Sequence, residues 1–260
     1  MSNLRLIARL DVKGQHLIKG IQLEGVRKVG DPHDFAVRYY QEGADEILYM
    51  DAVASLYDRD MLLKIVERTA QDVFIPITVG GGIRSLDDAL TLLRAGADKV
   101  AVNSAATLNP GLIGEIAGKF GSQCMVLQID AKQKPTGGWE AYRDCGREHT
   151  GLDAVAWAIE GARLGAGEIL LTSVDREGTR RGFDIDLIRT ISDAVSIPVI
   201  ASGGMGKIEH LFDAVLTAHA DAVAMAHVLH YNQLSLSDVR KAAQTQGLSV
   251  RTLAQEMILV

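Results

Sequence analysis

The two halves of this chain echo each other. Ile75-Pro-Ile-Thr-Val-Gly-Gly-Gly-Ile-Arg-Ser85 returns as Ile197-Pro-Val-Ile-Ala-Ser-Gly-Gly-Met-Gly-Lys207, and Gly43-Ala-Asp-Glu-Ile-Leu48 returns as Gly165-Ala-Gly-Glu-Ile-Leu170. Ala97-Asp-Lys-Val-Ala101 is matched by Ala220-Asp-Ala-Val-Ala224, and Leu10-Asp-Val-Lys13, more weakly, by Ile129-Asp-Ala-Lys132. The copies lie about 120 residues apart, and self-similarity at a fixed spacing marks a structure built from like units. Here the unit is half the chain. Each copy opens with an aspartate and closes with glycines, so chemistry and ligand binding are also expected in pairs.

Short β-branched runs alternate with amphipathic stretches along both halves. Strands are expected at Arg5–Leu10, Glu46–Met50, Ile77–Val79, Lys99–Val102, Met125–Ile129, Glu168–Leu171, Val199–Ala201 and Ala222–Met225, with helices near 33–43, 58–70, 85–95, 110–119, 153–164, 185–195, 207–218 and 236–246. Eight βα units in two equal halves do not suit a doubly wound sheet. They suit an α/β fold closed as a single (β/α)8 TIM barrel over residues 1–260, built from two repeated half-barrels at about 1–122 and 123–246 with a tail after. With 47% hydrophobic residues the chain can fill such a core. The two long connections, Asp11–Pro32 and Ala131–Asp153, follow the first and fifth strands, and their length reads as functional. Gly137-Gly-Trp-Glu-Ala-Tyr142 in the second reads as a small hairpin or lid.

In such a barrel the active site lies at the C-terminal ends of the strands. Asp11 ends strand one and Asp130 ends strand five, and these strands face each other across the ring. Two carboxylates on opposite sides of one cavity can act as acid and base. The alternative is that each only caps its loop; their equivalence in the repeat favours catalysis. Gly80-Gly-Gly82 and Gly203-Gly204 follow strands three and seven, where backbone N–H groups can close on an anion. The strands that come next end in Asn103-Ser104 and in Met225-Ala226. Two such sites imply a ligand with a phosphate at each end. Lys19 in the first long loop could close over a phosphate or be simply solvated. Asp51 and Asp175 point to the mouth by position, to bind hydroxyls or to cap loops. At the other end Arg5, Glu46, Lys99 and Glu168 stand near strand starts; they form either an inward ring of two cations and two anions or a set of surface charges.

The bulk properties exclude several classes. A net charge of −6 argues against a nucleic-acid or anionic-membrane surface. No apolar run approaches a membrane span, and the N-terminus reads directly into a strand rather than a signal peptide. Two cysteines suggest a reduced compartment, hence the cytoplasm, with no disulfide framework. The seven histidines show no metal-ligand spacing, so neither a metal nor a cofactor is expected.

These residues together resemble the HisF family, the cyclase subunits of imidazole glycerol phosphate synthase. The resemblance covers nearly the whole chain. It rests on Leu10-Asp-Val-Lys13, Gly30-Asp-Pro32, Thr78-Val-Gly-Gly-Gly82, Ala95-Gly-Ala-Asp-Lys-Val100, Phe120-Gly-Ser-Gln123, Ile129-Asp-Ala-Lys132, Gly165-Ala-Gly-Glu-Ile-Leu-Leu-Thr-Ser173 and Ile200-Ala-Ser-Gly-Gly204. It implies a lyase/cyclase of histidine biosynthesis fed with ammonia by a HisH-like glutaminase docked at the N-terminal face of the barrel. The implied substrate is a formimino aminoimidazole carboxamide ribonucleotide carrying two phosphates. Asp11 and Asp130 match the acid/base pair. Gly82, Asn103 and Ser104 match one phosphate site, and Gly203 and Gly204 the other. Lys19, Asp51, Thr172, Asp175 and Met225 complete the expected substrate contacts. Arg5, Glu46, Lys99 and Glu168 match the family's ammonia gate.

The chain departs from the family pattern near the mouth. Arg9 stands for a usual Cys and Gln22 for Asn. Asp51-Ala-Val-Ala-Ser55 replaces Asp-Ile-Thr-Ala-Ser, Met225-Ala-His227 replaces an Ala-Ser-containing end of strand eight, and Met205 stands for Ala. These changes resemble a side branch of the family thought to supply ammonia, with its own glutaminase, for amidation of a sugar in surface polysaccharide synthesis.

Overall fold

The computed structural model describes residues 3–52 and 60–253. Val53–Ser55, the start of the helix expected at 58, and the tail beyond 253 lie outside these residues. The strands are β1 (Arg5–Lys13), β2 (His16–Ile21), β3 (Glu24–Gly30), β4 (Glu46–Asp51), β5 (Ile77–Gly80), β6 (Lys99–Val102), β7 (Met125–Gln133), β8 (Trp139–Arg143), β9 (Glu148–Asp153), β10 (Glu168–Ser173), β11 (Val199–Ser202) and β12 (Ala222–Met225). Eight of them pair in parallel in the order β1-β4-β5-β6-β7-β10-β11-β12, and β12 pairs back onto β1. The sheet is closed, and helices cover its outer face: a (β/α)8 barrel, as the repeat requires.

The two long connections are hairpins, not open loops. β1 continues past the ring to Lys13 and turns back as β2 and β3, and Asp11 pairs with Ile18. β7 continues to Gln133 and turns back as β8 and β9, and Asp130 pairs with Tyr142. Each aspartate therefore sits where a barrel strand leaves the ring but keeps its pleat, so the carboxylate direction is fixed by sheet geometry on both sides. The hairpin expected at 137–142 runs instead from Trp139 to Asp153, with Gly137 and Gly138 in the turn before it.

Alternation along the strands separates two cores. Ile7, Leu48, Ala101, Val126, Leu170, Ile200 and Ala224 face the barrel axis and pack as one cluster. Their neighbours, such as Leu6, Ile47, Val100, Leu127, Ile169 and Val223, face the helices in the larger cluster. Helix starts are capped by local chemistry. The Asp31 side chain accepts from the backbone of His33 and Asp34 with Pro32 in the first turn, and Ser235 and Asp238 form a reciprocal capping box. The helix expected over 207–218 is α-helical only from Ile208 to Phe212 and widens into a π turn over Asp213–Thr217. Two short helices not expected from sequence, Ser104–Leu108 and His227–His230, follow β6 and β12.

The repeat reaches the strand starts. The carboxylates of Asp98 and Asp221, repeat equivalents, accept the backbone N–H groups of Ile77 and Val199 on the neighbouring strand, and Asp45 does the same for Leu6. The equivalent of Asp45 in the second half is Gly167, where a Cβ would meet the Ser122 carbonyl at 2.1 Å. Backbone has moved into the space a side chain occupies in the first half. Asp45 also takes Arg240 and Arg251, which ties the C-terminal helix to the barrel floor.

Candidate active site

The mouth holds one elongated groove made of three adjoining cavities. One end is lined by Gly81, Gly82, Asn103, Ser104 and Asp144, and the other by Gly203, Gly204, Ala226, His227 and Gly178. The middle is lined by Arg9, Asp11, Asp51, Gln128, Asp130 and Glu177. Asp51, Gln128 and Asp130 are shared with the first end, and Arg9, Lys19 and Glu177 with the second. Residues from both half-barrels thus converge on one site.

Local backbone explains why glycines build the ends. Gly81 has φ +99° and a Cβ there would meet the Asp51 carbonyl at 2.5 Å; Gly204 has φ +116° and a Cβ would meet the Gly182 carbonyl at 2.2 Å. Both positions combine left-handed backbone with a close approach that excludes any side chain. A short helix begins beside each loop, at Ser104 and at His227, so backbone N–H groups face each cavity end.

Asp11 and Asp130 project into the middle of the groove from opposite strands of the ring, and both are buried. Their surroundings differ. Asp11 accepts Nε of Arg9 at 2.9 Å. Burial alone would raise its pKa, but Arg9 and, further off, Lys19 outweigh that and hold it below the usual carboxylate range. Among the described residues Asp130 accepts only from neutral amides, Gln128 Nε2 at 3.1 Å and Asn103 Nδ2 at 3.0 Å. There burial wins over the Gln128 bond and the more distant Arg9, and the pKa of Asp130 is raised.

The remaining expected contacts fall into groups. Gly82, Asn103, Ser104, Gly203, Gly204, Asp51 and Lys19 all line the groove. Asn103 and Ser104 are already bonded to the β8–β9 hairpin: Asn103 Nδ2 donates to the Tyr142 carbonyl at 3.1 Å, and Ser104 Oγ accepts the Asp144 N–H at 3.1 Å. Lys19 is buried and bound to Glu177, a partner 158 residues away that no local pattern announces. Thr172 is fully buried, and its hydroxyl accepts Nη1 of Arg9 at 2.9 Å, so it supports the groove from beneath. Asp175 is exposed, and its carboxylate accepts the Gln133 N–H at 2.8 Å, the loop-capping alternative.

Ala222 and Ala224 on β12 face the axis, so Met225 faces out, and its side chain is 1% exposed in the core with Met205, Val228 and Leu229. It borders the cavity without aiming a side chain into it, and a hydroxyl at 225 would lie among apolar groups. The residue of this segment that presents a side chain beside this end of the groove is His227, in the first turn of the following helix, its ring tilted 47° against Tyr231 at 4.6 Å. The pleat, period two through Ala224, distinguishes them. Burial and nearby Arg180 and Lys19 lower the pKa of His227, so it is neutral at pH 7.

At the opposite end of the axis Arg5, Glu46, Lys99 and Glu168 form the inward ring. Arg5 contacts Glu46 at 2.9 Å and also Glu168; Lys99 contacts Glu46 at 2.9 Å and Glu168 at 3.0 Å. Thr78 Oγ1 donates to Glu46 at 2.6 Å. The apolar layer of Ile7, Leu48 and Leu170 separates this ring from the groove.

The sequence pattern of the family described as "Histidine biosynthesis protein" matches residues 5–235. A protein named imidazole glycerol phosphate synthase subunit HisF, from Legionella pneumophila, is 66% identical over 209 residues, covering 80% of this chain and 99% of that protein.

Proposed function

The chain belongs to the HisF family of histidine biosynthesis proteins, and on that premise we propose that it is the cyclase subunit of imidazole glycerol phosphate synthase. The observation that carries the reading is the groove: two glycine-built anion ends with two buried carboxylates between them. This shape fits the bisphosphorylated formimino aminoimidazole carboxamide ribonucleotide, one phosphate at Gly82, Asn103 and Ser104 and the other at Gly203, Gly204 and the helix start at Ala226–His227. The reacting carbons then lie over Asp11 and Asp130.

Ammonia must add to a carbonyl carbon and an amine must leave the formimino carbon. Both steps remove a proton from an attacking nitrogen and deliver one to a departing oxygen or nitrogen. Asp11, held ionised, is suited to take the first; Asp130, its pKa raised by burial, is suited to give the second. Once each has acted, the transfer reverses their protonation states, and exchange with water restores them. The products are imidazole glycerol phosphate and an aminoimidazole carboxamide ribotide.

Ammonia arrives from a glutaminase subunit on the N-terminal face. The four-charge ring is the entrance it must pass, and the apolar layer above gives neutral ammonia, rather than ammonium, a path to the groove. Phe74, 75% exposed beside a hollow lined by Pro76, Gly96 and Asp98, offers an apolar anchor on that face.

The test is ammonia-dependent conversion of the nucleotide to imidazole glycerol phosphate, with calorimetry of its binding. Turnover and binding are expected. Failure to bind would overturn this reading and favour the sugar-amidation branch of the family.

A further inference from the structure

Arg9 occupies the inward face of β1, two residues below Asp11. It is buried and held from three strands. Nε donates to Asp11 on β1 at 2.9 Å, and Nη1 donates to the hydroxyls of Thr172 on β10 at 2.9 Å and Ser202 on β11 at 3.0 Å. Both hydroxyls are buried, so the guanidinium is braced from the side opposite its carboxylate. A charge of this kind persists inside a barrel only when a counter-charge faces it. Asp11 takes that role, while Asp130, across the groove, is bonded among the described residues to amides alone.

We infer that Arg9 is a positioning residue that divides the labour of the pair: it keeps Asp11 as the carboxylate and fixes its orientation, leaving Asp130 as the proton-bearing partner. This rests on the reaction proposed above. The other groups facing Asp11 do not replace Arg9. Lys19, from β2, is bound to Glu177, which lies in the loop after β10. His230, from the helix after β12, is pushed by burial to a pKa of about 3 and shares a hydrogen bond with the Tyr39 hydroxyl at 2.7 Å. Asp51 on β4, Asp130 on β7 and Cys145 in the β8–β9 turn add negative or neutral groups to the same wall. A cysteine at position 9 would leave Asp11 without its adjacent cation.

Three measurements test this. In protein carrying ¹³C-labelled aspartate, the Asp11 signal (assigned by its loss in Asp11→Asn) is titrated in the wild type, Arg9→Gln and Arg9→Lys. Its midpoint is expected to move up by about one pH unit or more in Arg9→Gln and to stay near wild type in Arg9→Lys. The acid limb of ammonia-dependent kcat/KM moves with it, because Asp11 must lose its proton to act. A role in packing alone would lower turnover at every pH and leave the midpoint in place; an unmoved midpoint in Arg9→Gln overturns the inference. The third needs no Arg9 variant. Asp11→Asn strands a buried cation, whereas Asp130→Asn strands only amides that can turn, so the Tm of Asp11→Asn is expected to fall further. An equal or greater loss in Asp130→Asn also overturns it. Should the wild type lack cyclase activity while the titration and Tm results hold, the proposed reaction fails and the pairing of Arg9 with Asp11 stands.

Discussion

At the bottom of the barrel axis, two cations and two anions alternate, and each cation touches both anions. At the mouth, Arg9 serves Asp11, Lys19 serves Glu177, and Asp130 has no directly bonded cation among the described residues. β1 contributes to both sets, through Arg5 at the bottom and Arg9 and Asp11 at the mouth, yet the bottom four are balanced in charge and these five mouth residues are not. A buried charge set that closes on itself can be structural or can gate, because every desolvated group is compensated. A set that leaves one carboxylate without a directly bonded cation lets burial raise that group's pKa while its neighbour's is lowered, and such a difference between neighbours is what acid–base chemistry needs.

The sharpest way to break this contrast is at the mouth. Asp11→Asn and Asp130→Asn should each lower ammonia-dependent turnover by about 10²-fold or more, the scale of lost acid–base catalysis, with the fold retained by circular dichroism. Turnover near wild type in either would remove the distinction between the ends. Next in size is Met225→Ser, which trims a core side chain and buries a hydroxyl. It should cost about 2–4 kcal/mol in urea unfolding. It should not tighten nucleotide binding, because position 225 faces the helices; tighter binding would show that β12 presents that side chain to the groove.

The balanced end is probed by Lys99→Ala. With glutaminase present, the ratio of glutamate released to product formed should rise several-fold, while turnover with ammonium salts changes less. An unchanged ratio, in a variant that still binds its glutaminase, would mean that the ring is structural only. The smallest effect is expected for His227→Ser. A hydroxyl there gains a hydrogen bond to a charged group, offset by the lost ring contact with Tyr231, so the bisphosphate should bind up to about ten-fold more tightly by calorimetry. Weaker binding would make the imidazole itself the better phosphate partner.

What the sequence by itself determined is whatever repeats or alternates locally. The half-chain duplication required an even, closed arrangement of βα units. Short β-branched runs placed the eight barrel strands within a few residues of their observed bounds, and the glycine pairs marked both ends of the groove because left-handed turns leave a local trace. Asp11 and Asp130 were legible as a pair because the repeat equates them. Tertiary structure alone decided which charges meet. Lys19 finds Glu177 and Arg9 finds Thr172 and Ser202 across 158 to 193 residues, distances over which spacing carries no information. It also decided that Met225 faces the core while His227 faces the groove, since the strand gives way to a helix between them and changes the period. The asymmetry of the aspartates belongs to the same class. It depends on burial and on one guanidinium, and both exist only when the ring closes.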